Sequence, residues 1–187
     1  FAQGWNYEAD PDVVLYIDGL RLATGAIGGT VLLPDNKPAA GAAVKIEDGR
    51  GQVYNVTADE NGRFRYRGLI SSTLETGDDR VTYYVSSATE QYVSKRISVE
   101  VTSGADIQQQ IQLMVPGQIT GQLKLFQKDD YSGITVEAVD LETGAVSVII
   151  TQADGVFHFE RLVPGTYQVT ARRSGYGEVT LADALAI

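Results

Sequence analysis

Apolar residues recur at every second position through short stretches of this chain, and turn-forming residues separate those stretches. Val13, Leu15 and Ile17 alternate with Asp12, Val14, Tyr16 and Asp18. Phe64 and Tyr66 share one face of residues 63–67, with Arg63, Arg65 and Arg67 on the other, and Phe157 and Phe159 flank His158 in the same way. A period of two is that of a strand with one face buried. The pattern predicts strands from Thr24 onward, then over 43–46, 52–57, 63–67, 81–86, 93–101 and 106–115. It predicts further strands over 118–126, 134–139, 146–151, 156–160, 166–172 and 178–187, the last with a weak helical period over 181–187. Asp48-Gly49, Asn61-Gly62, Thr143-Gly144 and Asp154-Gly155 supply turns between them.

The pattern occurs twice. Gly25-x-Ile27-x-Gly29-x-Val31-x-Leu33 returns 92 residues later as Gly117-x-Ile119-x-Gly121-x-Leu123-x-Leu125. Gly41-x-x-Val44 returns as Gly133-x-x-Val136, and Gly62-x-Phe64-x-Tyr66-x-x-Leu69 as Gly155-x-Phe157-x-Phe159-x-x-Leu162. Three blocks in one order at nearly one spacing imply a tandem of related domains. The expected division is an N-terminal extension with one strand (1–23), a first all-β sandwich (24–115) and a second (116–187), both small, antiparallel and Ig-like or prealbumin-like. After Tyr83-Tyr84-Val85 the first domain has two more strands. After the matching Tyr167-Gln168-Val169 the second has one. The chain therefore carries a strand too many in front and one too few behind.

The blocks Gly-x-Ile-x-Gly-x-Val and Leu162-Val163-Pro164-Gly165-Thr166-Tyr167-Gln168-Val169, with Gly175-Tyr176 beyond, resemble the carboxypeptidase regulatory-like domain family. Its transthyretin-like sandwiches are close in form to B-type repeats of collagen-binding adhesins. The resemblance spans roughly residues 24–177, and in the first domain a polar loop over 70–80 replaces the Pro-Gly-x-Tyr turn. It implies a noncatalytic module of exported or surface proteins. It also implies one pair to test for an internal isopeptide bond, Lys124 with Asp183, although Ala171 stands where the assisting glutamate belongs.

Charge narrows the partners. The 187 residues carry a formal net charge of −9, with 15 Lys and Arg against 24 Asp and Glu. None of the three segments is basic, which disfavours nucleic acid and an anionic membrane surface. There is no cysteine, hence no thiol nucleophile or cysteine-based metal site. No apolar run approaches the ~18 residues of a membrane-spanning helix.

Candidate chemistry is sparse. His158 is the sole histidine, and Asp78-Asp79 and Asp129-Asp130 fall in predicted turns. No phosphate-binding or nucleophile-elbow motif is present. The reading therefore assigns no catalytic, metal or cofactor residues. Asn55-Val56-Thr57 is a glycosylation sequon if the chain is exported.

The expected function is an extracellular or cell-surface structural or adhesive protein, self-associating head to tail by strand donation. Val13, Leu15 and Ile17 are the candidate inserted residues, and Tyr167, Val169, Val179 and Leu181 the candidate acceptor groove. The alternative is a carbohydrate- or protein-binding accessory module of a larger exported enzyme or surface protein. Trp5, Tyr7, Tyr54, Tyr92, Tyr131 and Tyr176 are the aromatics that can serve it.

Overall fold

The computed structural model describes residues 24–71 and 80–187, and in them the chain is all-β. The 11–22 segment, with Val13, Leu15 and Ile17, lies outside the described residues, as do Trp5, Tyr7 and the Asp78-Asp79 pair.

The first body contains β1 (Thr24–Leu32), β2 (Ala43–Asp48), β3 (Val53–Thr57), β4 (Arg63–Ile70), β5 (Arg80–Ala88), β6 (Val93–Ser94), β7 (Ile97–Thr102) and β8 (Asp106–Met114). Hydrogen bonding runs along the path β3-β2-β5-β6-β8-β1-β4, with β7 also on β5. Alternate residues from both ends of that path, among them Ile27, Val31, Phe64 and Ile111 from one and Ile46, Tyr83, Val85 and Val101 from the other, form one buried cluster. That convergence makes the body a sandwich. β8 runs parallel to β1, in register from Ala26 opposite Asp106 to Leu32 opposite Gln112.

The predicted continuous strand over 93–101 is instead two. The Ser94 hydroxyl accepts the Ser87 backbone N–H at 2.7 Å and donates to the Lys95 carbonyl at 2.9 Å. A side chain thus takes a backbone position on the edge of β5. Ser94 is freed to pair with Leu113 of β8, and there the two layers join.

The second body contains β9 (Gly117–Gln122), β10 (Thr135–Asp140), β11 (Val146–Ile150), β12 (Val156–Leu162), β13 (Thr166–Arg172) and β14 (Val179–Ala186). Its sheets are β11-β10-β13-β14 and β12-β9, closing over a separate cluster with Ile119, Val136, Phe157, Phe159 and Val169. The helical period over 181–187 is overridden: β14 pairs antiparallel with β13. β9 is three residues shorter than its predicted run from Gln118 would require, ending at Gln122.

The pairings of the two bodies correspond. β9 lies on β12 as β1 lies on β4, and β10 joins β11 and β13 as β2 joins β3 and β5. Gly62 and Gly155 each adopt φ 70°, and their carbonyl oxygens accept from the backbone N–H groups of Val31 and Leu123 respectively. Tyr83 and Tyr167 each send a phenol to a backbone carbonyl, of Ile70 at 2.9 Å and Val163 at 2.8 Å. Burial raises both phenol pKa values, that of Tyr83 to about 12.

The bodies meet at the β8–β9 junction. Lys95 reaches Glu142 at 2.5 Å, and that hydrogen bond raises the lysine pKa. Arg161 donates to the carbonyls of Thr89 (2.6 Å), Glu90 and Tyr92.

Candidate functional site

One strand of the first body has no counterpart in the second. β1 is hydrogen-bonded on both sides, to β4 and to β8, whereas among the described residues β9 pairs with β12 alone. An unpaired strand edge leaves a row of N–H and C=O groups open to another strand. The shortening of β9 has the same cause. Leu123 still donates to the Gly155 carbonyl at 2.9 Å, but without a second neighbour the chain leaves the ladder there.

The empty position continues into an apolar groove of about 340 Å³ lined by Leu123, Leu125, Ile134, Ala171, Val179 and Leu181. Phe126, 83% exposed, and Tyr176 also line it. Lys124, Arg172 and Arg173 flank it, with Arg172 ion-paired to Glu137 at 2.6 Å. Exposed apolar side chains gathered along a concave face mark an interaction site more often than scattered ones do.

The four residues expected to form an acceptor groove divide. Val179 and Leu181 line this groove and are 56% and 38% exposed. Tyr167 and Val169 lie in the core at 4% and 2% exposure, on a strand paired on both sides by β10 and β14. β13 therefore has no free edge, and the groove lies against β9. A signal for this lies in the sequence: within residues 116–187 nothing matches Ile107, Ile111 and Leu113 of the first domain.

Other candidates fall apart spatially. His158 is exposed on β12, 3.4 Å from Glu160 and 3.3 Å from Gln118. Among the described residues no three His, Asp or Glu side chains gather to hold a metal. Asp130 caps its own turn by accepting from the Ser132 N–H at 2.9 Å, and that bond lowers its pKa. Lys124 and Asp183 are both exposed side chains. Of the arginine stripe, Arg65 is ion-paired with Asp106. Tyr54 packs on Tyr66 with ring centroids 4.9 Å apart, and Tyr92 and Tyr131 pack against the two cores, so these aromatics form no surface row. Asn55 is exposed on the edge strand β3.

Residues 118–185 match the family model of the carboxypeptidase regulatory-like domain. No curated protein matches the chain in sequence. Among solved structures the chain is similar to the TIE protein of Bacillus anthracis, at 17% identity and a TM-score of 0.37, covering 88% of this chain and 31% of that one. It is also similar to a streptococcal ancillary pilin (16% identity, TM-score 0.40, 89% and 59% covered). A third is the shaft pilin spaA of Lactobacillus rhamnosus GG, as its D295N mutant (13% identity, TM-score 0.39, 87% and 97% covered). The chain thus spans less than two thirds of the length of the first two.

Proposed function

We propose that this chain is a noncatalytic structural or adhesive module of an exported, surface-displayed protein. In this reading two regulatory-like sandwiches stand in tandem, and copies join head to tail by donating a strand. The observation that carries it is the edge of β9 that stays unpaired among the described residues, where β1 of the first body has β8. Strand addition supplies main-chain hydrogen bonds, and side-chain pockets supply selectivity. Because donor and acceptor lie at different ends of one chain, the contact does not close on itself and grows into a fibre.

Size analysis with negative-stain imaging of the full chain, beside a variant lacking residues 1–22, tests this. Ladders or filaments from the full chain and monomers from the variant are expected. Monomers from both sink the polymerising role.

A second reading, a protein- or glycan-binding accessory module, is favoured by the outward face of β11. There Val146, Val148 and Ile150 stand exposed in a row on an edge strand. Its signature is a monomer that retains binding to an immobilised ligand and loses it when Val148 becomes aspartate.

A further inference from the structure

The strand that occupies the vacancy can be specified from the way β8 sits on β1. β8 reads Asp106-Ile107-Gln108-Gln109-Gln110-Ile111-Gln112-Leu113-Met114. The N-terminal segment contains Asp12-Val13-Val14-Leu15-Tyr16-Ile17-Asp18-Gly19-Leu20. Both run as Asp, β-branched aliphatic, three residues, Ile and a polar residue, after which Gly19 stands where the buried Leu113 does and Leu20 where Met114 does. We propose that residues 12–20 of a second copy lie beside β9 in parallel, in the register that β8 takes on β1. This rests on the head-to-tail reading and adds to it the acceptor strand, the direction and the register.

The contacts of β8 translate position by position. Ile107 lies opposite Ile27 and Ile111 opposite Val31, whose matches are Ile119 and Leu123. Val13 then falls opposite Ile119, Ile17 opposite Leu123 and Asp18 opposite Lys124. Asp106 is ion-paired to Arg65, and the residue matching Arg65 on β12 is His158, which places Asp12 against an imidazole. At the other end Gln112 donates to the Leu33 carbonyl at 2.6 Å, and Leu113 and Met114 pair with β6 at the edge of β5. In the second body the corresponding space, between Leu125 and Ala171, is the 340 Å³ groove. Charge agrees as well. In that register Asp18 meets Lys124 at the groove, and residues 12–20 carry two aspartates and no Lys or Arg. Opposite charges of this kind speed encounter and fix register more than they add affinity.

The arm of the same chain does not reach. Thr24 lies near the Asp106 end of β8, and β8 and β9 lead from there through the junction to Lys124. At about 3.3 Å per residue those strands extend ~30 Å and ~20 Å. The contacts between the bodies, Lys95 to Glu142 and Arg161 to the 89–92 loop, sit at that junction, at the end of the first body away from Thr24. The four steps from Leu20 to Thr24 cover at most about 14 Å.

The chain has no cysteine, so an introduced pair reports one contact. The full chain carrying Val14→Cys and Thr120→Cys, and separately Tyr16→Cys and Gln122→Cys, is oxidised and run on a denaturing gel beside Val14→Cys with Thr180→Cys. Expected is a covalent ladder from the first two pairs and none from the third. A ladder only from the Thr180 pair overturns the β9 assignment and leaves polymerisation standing. A disulfide-closed monomer from the first pairs shows the arm serving its own body and overturns the second-copy assignment. Monomers without disulfide, monomeric also by size analysis, overturn the inference together with the reading it rests on.

Discussion

Arg161 stands at the bulge that Gly68 fills in the first body. Gly68 has φ 82° where β4 slips against β1, and Arg161 has φ 59° where β12 slips against β9. A side chain in this left-handed region costs about 1–2 kcal/mol. Here the conformation aims the guanidinium at three carbonyls of the 89–92 loop. Those carbonyls belong to the other body, so the strained residue ties the two together.

Arg161→Gly separates the two effects. The bulge relaxes, so the thermal stability of the second body holds or rises, while the bodies lose their clamp. Small-angle scattering is expected to show a broader distribution of overall dimensions than the parent, and Arg161→Ala the same broadening with lower stability. An unchanged scattering profile removes the clamp.

Gly155→Ala is expected to destabilise the second body strongly. A Cβ there would stand 2.0 Å from the Leu123 carbonyl oxygen, at φ 70°. The backbone conformation alone costs about 1–2 kcal/mol, and the clash forces β9 away from β12. Hydrogen exchange should show lost protection in β9 and β12 with β1–β8 unaffected; uniform protection contradicts the close approach.

Thr151 is buried and bridges two backbone groups, accepting from the Ile134 N–H at 3.1 Å and donating to the Tyr131 carbonyl at 2.6 Å. Thr151→Val keeps the shape and strands both groups, at a cost of about 1–3 kcal/mol. Denaturant unfolding measures it, and a loss below half a kcal/mol indicates that water reaches both groups.

Alkaline pH should weaken the first body. Burial holds the Tyr83 phenol protonated up to about 12, against an ordinary value near 10. Between those values the unfolded chain releases the proton and the folded chain keeps it, so the unfolded state binds fewer protons and stability falls as pH rises. Below pH 10 the contribution is fully present. Unfolding midpoints from pH 9 to 12 test this, with Tyr83→Phe expected to flatten the decline while starting lower through loss of its bond to Ile70.

Much of the fold was legible in the chain. Strand identity follows from local alternation, and turns from Asp-Gly and Asn-Gly pairs, because each needs only neighbouring residues. The breaks at Ser94 and Gln122 were not legible, since both depend on strands distant in sequence: β8 offers Ser94 a partner, and among the described residues no strand offers β9 a second one. Tyr167, Val169, Val179 and Leu181 alternate alike in the sequence, and alternation alone does not separate Val179 and Leu181, exposed at the groove, from Tyr167 and Val169 in the core. That β13 is enclosed on both sides is a matter of pairing order, which alternation does not encode.

The sequence by itself determined the class of structure and the duplicated blocks, both properties of local pattern. Only the tertiary structure decided which strand of the first body has no counterpart among the described residues of the second. β8 returns parallel to β1 across more than seventy residues, and a parallel pairing so distant has no signature in either strand alone. The lack of such a partner for β9 among the described residues, the groove beside it and the reach of Arg161 into the other body all follow from which edges meet in space, because hydrogen-bonded edges are satisfied by partners rather than by sequence neighbours.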